Sequence, residues 1–421
     1  MTRSGNSGRA AFVYALADQG AVSAGNFLVI ALGAHFLPIA EQGKLVYAFG
    51  IYYGLVVFNI AAFFTVPLLL RGERAQWDCY RRLLLRGQLI AAAVTALGIG
   101  ILLARWGGQL QWPMSRSEFL LLGGFYFLQQ LADFYRRSGY VFDAVLPATV
   151  TSQLIFWSRI GALVIVRPAT LEGVLAILAA SAAIGALAAL LRERVPPASP
   201  CSRAQDAHWR RAHLRLSAWS LVNAPLAWGG LHLPILLVGA LAGGKAAAIL
   251  GSIRGITAFL NVLLELLETL VPTWLASRLT RDGTLPLRPA LRLLAFGGGI
   301  WLVGLVVLAA LGERIVVLTL GRAYQPYAAM LLVIWVANGL YFIGRVIGLH
   351  YRMTRDLRAQ TIGSAGGILA LLASLPLVAR HGEWGGAFAL AIAQAGVILM
   401  LGAYWLLART RREAHDTASP L

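Results

Sequence analysis

Charge is scarce in this chain, and so is cysteine. Only 13% of the 421 residues are charged, where a soluble domain carries roughly a quarter; that excludes an ordinary water-solvated fold. The two cysteines, Cys79 and Cys201, both fall on expected cytoplasmic loops, so no disulfide is expected, and neither has neighbours at metal-ligand spacing. Seven histidines show no H-E-x-x-H or similar spacing, and no Ser-His-Asp order stands in a soluble segment. The sequence therefore offers no catalytic constellation, no metal site and no cofactor site. Lysine is confined to Lys44 and Lys245, so the abundance of arginine is in part a matter of composition and names no ligand by itself. Long external loops are missing too, which argues against a membrane-embedded polymerase or ligase that would hold its donor and acceptor outside.

What the chain has is apolar length. Hydrophobic residues make up 58% of it. Stretches of about 18 residues or more, enough to cross a hydrocarbon core of roughly 30 Å, recur twelve times. They cover 10–36, 45–70, 83–104, 118–135, 144–166 and 171–191, then 214–240, 246–274, 291–311, 327–349, 359–379 and 385–407. A barrel strand needs only about 10 residues in strict alternation, so these runs predict helices. The expected fold class is all-α integral membrane, with twelve transmembrane helices. The first run is about twice the length of a signal-peptide core and lacks an A-x-A-like exit, so it is expected to stay as a helix.

The basic residues give an independent check, because Lys and Arg gather on cytoplasmic loops. With the N-terminus inside, cytoplasmic segments outnumber external ones in basic residues by about three to one, which an odd number of spans would scramble. Both termini are thus expected in the cytoplasm. The net charge of +18 then reads as an orientation signal that also meets anionic lipid headgroups, and nucleic acid is not an expected partner.

The longest polar segment, 192–213, divides the spans six and six. Residues 1–191 form an expected N-terminal lobe, 192–213 a cytoplasmic linker, 214–408 a C-terminal lobe and 409–421 a cytoplasmic tail. Because six is even, both lobes enter the membrane in the same direction, as parallel repeats do. Gly33 and Ala34 recur 206 positions later as Gly239 and Ala240, and Gly50, Ile51 and Pro67 recur 205 positions later as Gly255, Ile256 and Pro272.

Polar groups inside the spans are costly in hydrocarbon and mark packing or function. Gln19, Ser23 and Asn26 form one stripe at i, i+4 and i+7, read first as helix-packing hydrogen bonds. Asp18 at its edge requires a cation, a proton or water. Arg86 and Asp133 lie near cytoplasmic helix ends and are read as snorkelling. Arg159 and Arg254 fall deeper, toward the outer half, with no obvious carboxylate partner on their own helices. Glu265 and Glu268 share a face at i, i+3, with Arg345 at comparable depth. One reading pairs Glu268 or Asp18 with Arg345. The other places Arg159, Arg254 and Arg345 around a central cavity that binds phosphate oxygens, while Asp18, Glu265 and Glu268 serve coupling ions or ion pairs. Gly363 and Gly367 predict close helix packing.

The stretch "ALADQGAVSAGNFLVIALGAHFLPIAEQGKLVYAFGIY" resembles the opening of polysaccharide flippases of the O-antigen exporter type, within the superfamily shared with MATE drug exporters and lipid II flippases. That opening is a D-Q-x-x-x-S-x-x-N-F core, here Asp18, Gln19, Ser23, Asn26 and Phe27, followed by an acidic-x-G turn, here Glu41, Gln42 and Gly43. "LLVGALAGGKAAAILGSIRGITAFLNVLLELLETLVPTWLASR" is similar to the family's seventh-to-eighth helix hairpin. "HGEWGGAFALAIAQ" is similar to the approach to its twelfth helix. The resemblance implies a MATE-like fold in a bacterial inner membrane. It also implies a flippase moving an isoprenoid-diphosphate-linked oligosaccharide outward for surface polysaccharide synthesis, with membrane lipids and other glycan-assembly membrane proteins as partners. A cation-coupled drug exporter using Asp18 and Glu265, a glycan polymerase or ligase, and a non-transporting scaffold are the rival readings.

Overall fold

The computed structural model describes residues 5–64, 77–99, 101, 105, 114–141, 145–192, 202–257, 287–353 and 356–417. Among these residues there are helices and no strand. In chain order the helices are α1 (Gly5–Phe36), α2 (Ile39–Asn59), α3 (Trp77–Gly98), α4 (Arg116–Val141), α5 (Val145–Val166), α6 (Leu171–Arg192), α7 (Arg203–Ala242), α8 (Gly244–Thr257), α9 (Leu287–Leu320), α10 (Met330–Met353), α11 (Leu357–Ala373) and α12 (Leu375–Thr417). A π-helical turn, Ile60–Phe64, extends α2. Eight helices (α1, α2 with its π turn, α5, α6, α7, α9, α10 and α12) are long and apolar enough over their described residues to cross a membrane. The chain is a multi-pass membrane protein.

Helix ends overrun the apolar spans where the sequence supplies caps. Ser202 accepts a hydrogen bond from Gln205 N while the Gln205 side chain answers the Ser202 backbone, a capping box that starts α7 at Arg203 and so makes residues 203–213 of the polar linker helical. Trp209 from that extension is 1% exposed. Its ring stacks on Tyr80 of α3 at 4.8 Å, and the Tyr80 hydroxyl meets His213 Nδ1 at 2.8 Å. Hydropathy marks the edge of hydrocarbon; the cap and this aromatic docking decide where the helix begins.

At the other extreme of the chain, α12 reverses at Gly382, whose φ of 53° lies in the region that only glycine occupies without strain. The segment after the turn packs back on α11: a Cβ at Gly366 would stand 2.8 Å from the Gly396 carbonyl, and one at Gly367 3.1 Å from that of Ala393. Within lipid there is little hydrophobic drive between helices, so close approach of backbones at small residues supplies the contact. The α9–α10 pair uses larger groups, with Trp301 Nε1 donating to the Trp335 carbonyl at 3.0 Å and Trp335 Nε1 to that of Trp301 at 2.8 Å.

Contacts between the two halves of the chain repeat the sequence offset. A Cβ at Gly50 in α2 would stand 3.2 Å from Leu236 of α7, and one at Gly255 in α8 would stand 3.0 Å from Ile30 of α1. Gly255 follows Gly50 by 205 residues and Leu236 follows Ile30 by 206. Gly251, 205 residues after Val46, packs against Val46 itself, 2.4 Å from an added Cβ. These reciprocal contacts match the 205–206-residue recurrence read in the sequence. Around them, at the end of the bundle opposite the termini, Gln42 Nε2 donates to Ser252 Oγ at 2.9 Å and to the Ile30 carbonyl at 3.1 Å. Trp228 Nε1 donates to the Gly50 carbonyl at 2.9 Å. The halves are therefore joined at that end, and the space between them opens deeper in the bundle.

Candidate functional site

A cavity of about 390 Å³ occupies that space, lined by α1, α2, α4 and α5 from the first half and by α7, α8, α10 and α11 from the second. Among its described lining residues are five guanidinium groups, Arg136, Arg137, Arg159, Arg254 and Arg345, and one carboxylate, Asp133. A guanidinium keeps its proton in protein settings, so the lining is net cationic.

The partners of these groups separate them into two kinds. Arg136 is 2% exposed, its Nη1 donating to Asp18 Oδ2 at 2.8 Å and its Nε to Asp133 Oδ1 at 3.0 Å. The Tyr140 hydroxyl donates to the same Asp18 oxygen at 2.5 Å. Two carboxylates thus share one guanidinium, whose charge is balanced in place. Arg159, 5% exposed, has neutral acceptors instead: Nη2 donates to Gln129 Oε1 at 2.8 Å and Nε to Ser181 Oγ at 3.3 Å, with the guanidinium carbon 5.7 Å from the Phe125 ring centre. Arg254 Nη1 donates to the Leu231 carbonyl at 2.7 Å. Among the described residues no carboxylate lies within ion-pair distance of Arg159 or Arg254. Arg345 Nε donates to the Tyr341 hydroxyl at 2.7 Å and stacks over that ring.

The structure thus brings Arg159, Arg254 and Arg345 to one cavity from α5, α8 and α10. It gives Asp18 to Arg136, not to Arg345. Asp133, read from sequence as snorkelling, is 6% exposed and bonded to Arg136; Arg86 is exposed. Ser23 and Asn26 line the cavity, whereas Gln19, 2% exposed, lies outside it. Glu265 and Glu268 lie outside the described residues.

Sequence reasoning misses Arg136, because the apolar run read as 118–135 stops just before it at an Arg-Arg pair. The helix continues to Val141 and carries Arg136 inside. The signal available was Asp133 at i−3, which pairs a buried acid with it on one face. Also missed was the stack of Tyr53 of α2 on His232 of α7, with ring centres 5.1 Å apart, which joins the halves at the cavity wall.

No family model matches the sequence, and no curated protein matches it. The architecture does have solved relatives. The fold is similar to that of an inward-facing multidrug resistance MATE family transporter of the MOP superfamily, with a TM-score of 0.67 at 12% identity over 97% of this chain and 96% of that one. A MOP superfamily transporter from Pyrococcus furiosus, described as having a binding pocket of reverse polarity, gives 0.58 at 13% identity over 96% and 94%. Lipid II flippase MurJ in an inward closed conformation gives 0.55 at 12% identity over 93% and 86%. The chain has the all-helical MATE transporter fold.

Proposed function

We propose that the protein is a flippase that carries an isoprenoid-diphosphate-linked oligosaccharide from the cytoplasmic to the outer leaflet of a bacterial inner membrane. One observation carries this reading: Arg159 and Arg254, from opposite halves of the chain, enter a shared cavity and, among the described residues, are bonded to neutral acceptors. A cation desolvated without a carboxylate retains its attraction for an anion, and forked N–H donors match phosphate oxygens. Lobes 1–191 and 214–408 rock about the cavity, tied by the linker 192–213, with both termini and the tail 409–421 in the cytoplasm. The lipid tail stays in the bilayer while Arg159, Arg254 and Arg345 offset desolvation of the headgroup. A diphosphate with about two negative charges gains up to about 4.6 kcal/mol per 100 mV on moving outward across an inside-negative potential. Asp18, bonded to Arg136 and Tyr140, and Glu265 and Glu268 are the candidates for coupling to a proton or cation. Membrane lipids and neighbouring glycan-assembly proteins are the partners this reading supplies.

In cells depleted of the native protein, Arg159→Ala and Arg254→Ala should each abolish surface-glycan export while protein level holds. Normal export in both variants would remove them from the site. A drug exporter of the same fold is the second reading, and it calls for an acidic cavity. Resistance to cationic drugs conferred by the wild type, with glycan export unaffected by its deletion, would establish that alternative.

A further inference from the structure

The cavity holds a second chemistry beside its cations. On the wall made by α7, α10 and α11, Trp219, Asn223, Asn338 and Gln360 line the lumen, and among the described lining residues no carboxylate comes from that half of the chain. Trp219 is 41% exposed, with the Arg358 guanidinium carbon 5.3 Å from its ring centre. Among the described residues, Asn223 Oδ1 is shielded from solvent and has no hydrogen-bond partner. Buried polar atoms are nearly always satisfied, so an orphaned amide oxygen on a cavity wall is a place for a donor from the cargo. The Gln360 amide is fixed by donation to the Gly348 carbonyl at 2.8 Å, and Tyr341 holds Arg345 beside the same wall.

The wall offers no carboxylate to a cationic amphiphile among its described residues, and its amides and partly bared indole are not the guanidinium groups that hold phosphate. The amides and indole suit a sugar ring, whose hydroxyls both donate and accept and whose C–H face packs on an aromatic surface. We infer that the α7–α10–α11 wall is a carbohydrate subsite that takes an uncharged pyranose next to the diphosphate. This rests on the flippase reading and divides its labour. The arginines hold the phosphates common to every lipid-linked glycan. Asn223 accepts from a ring hydroxyl, Asn338 and Gln360 meet others, and Trp219 supports the ring. Discrimination among glycans resides in this wall and affinity for the carrier in the cations.

The test uses the full-length protein in nanodiscs and two probes, bare undecaprenyl diphosphate and the glycosylated undecaprenyl diphosphate pool extracted from the host. The wild type should bind the glycosylated lipid more tightly. Trp219→Ala and Asn223→Leu should each weaken it by about tenfold and leave the bare lipid within about twofold; Asn338→Ala reads the same effect if either variant does not fold. Equal loss for both lipids, or no change in either, overturns the subsite. Equal wild-type affinity for the two lipids overturns it while sparing the flippase reading. A wild type that binds neither lipid overturns both.

Discussion

Arg136 and Arg159 project from neighbouring helices of the same half of the chain, and both are almost wholly buried, yet they sit in opposite electrostatic company. Arg136 bridges Asp18 and Asp133, whereas Arg159 has an amide oxygen, a hydroxyl and a ring. The difference teaches how to separate a structural cation from a binding one inside a membrane. A guanidinium closed off by carboxylates has spent its field on the fold. One held by dipoles keeps its field directed at the lumen, at a cost in stability that a bound anion offsets.

That distinction predicts opposite stability effects. Arg136→Met strands two buried carboxylates and should lower stability by about 3–5 kcal/mol, read as a large drop in the thermal midpoint of the purified protein in detergent; adding Asp18→Asn and Asp133→Asn should recover much of it. Arg159→Met and Arg254→Met remove desolvated cations that have no carboxylate partner among the described residues and should leave the midpoint unchanged or raise it, while on the flippase reading export should fall. Equal destabilisation by Arg136→Met and Arg159→Met would erase the contrast.

Smaller effects test the contacts that set the two halves around the cavity. Gly251→Leu drives a side chain into Val46 where the halves meet, and overpacking of this kind costs about 1–3 kcal/mol; the variant should show a reduced midpoint and, on the flippase reading, slower export. Tyr80→Phe removes the hydroxyl that meets His213 and should cost about 1 kcal/mol. Its readout is faster limited proteolysis near Ser202, where the Trp209 stack alone would then dock the linker helix on α3. Unchanged cleavage would show that the Trp209 stack alone suffices.

How far the sequence reached differs by residue. Arg159 and Arg254 were visible because an arginine deep in an apolar run with no acid nearby on its own helix is rare, and both do line the cavity. Arg136 was hidden because its neighbour Arg137 made the pair look like the boundary of a span. The stripe Gln19, Ser23 and Asn26 was legible as a polar face, but which part of it packs and which part meets the lumen depends on where α1 rotates against its neighbours. The partners of Arg159 could not be read at all, since Gln129 and Ser181 are unremarkable amides and hydroxyls until α4, α5 and α6 converge.

The chain by itself determined a helical protein of the membrane, because apolar length is matched against the thickness of hydrocarbon and every backbone polar group in lipid must be satisfied within its own helix. It also displayed the 205–206-residue recurrence that contacts between the halves repeat. Only the tertiary structure decided which intramembrane charges cancel. Asp18 and Arg136 are 118 residues apart in sequence and 2.8 Å apart in space, and an ion pair's energy falls so steeply with separation and dielectric that no spacing along one helix reveals it.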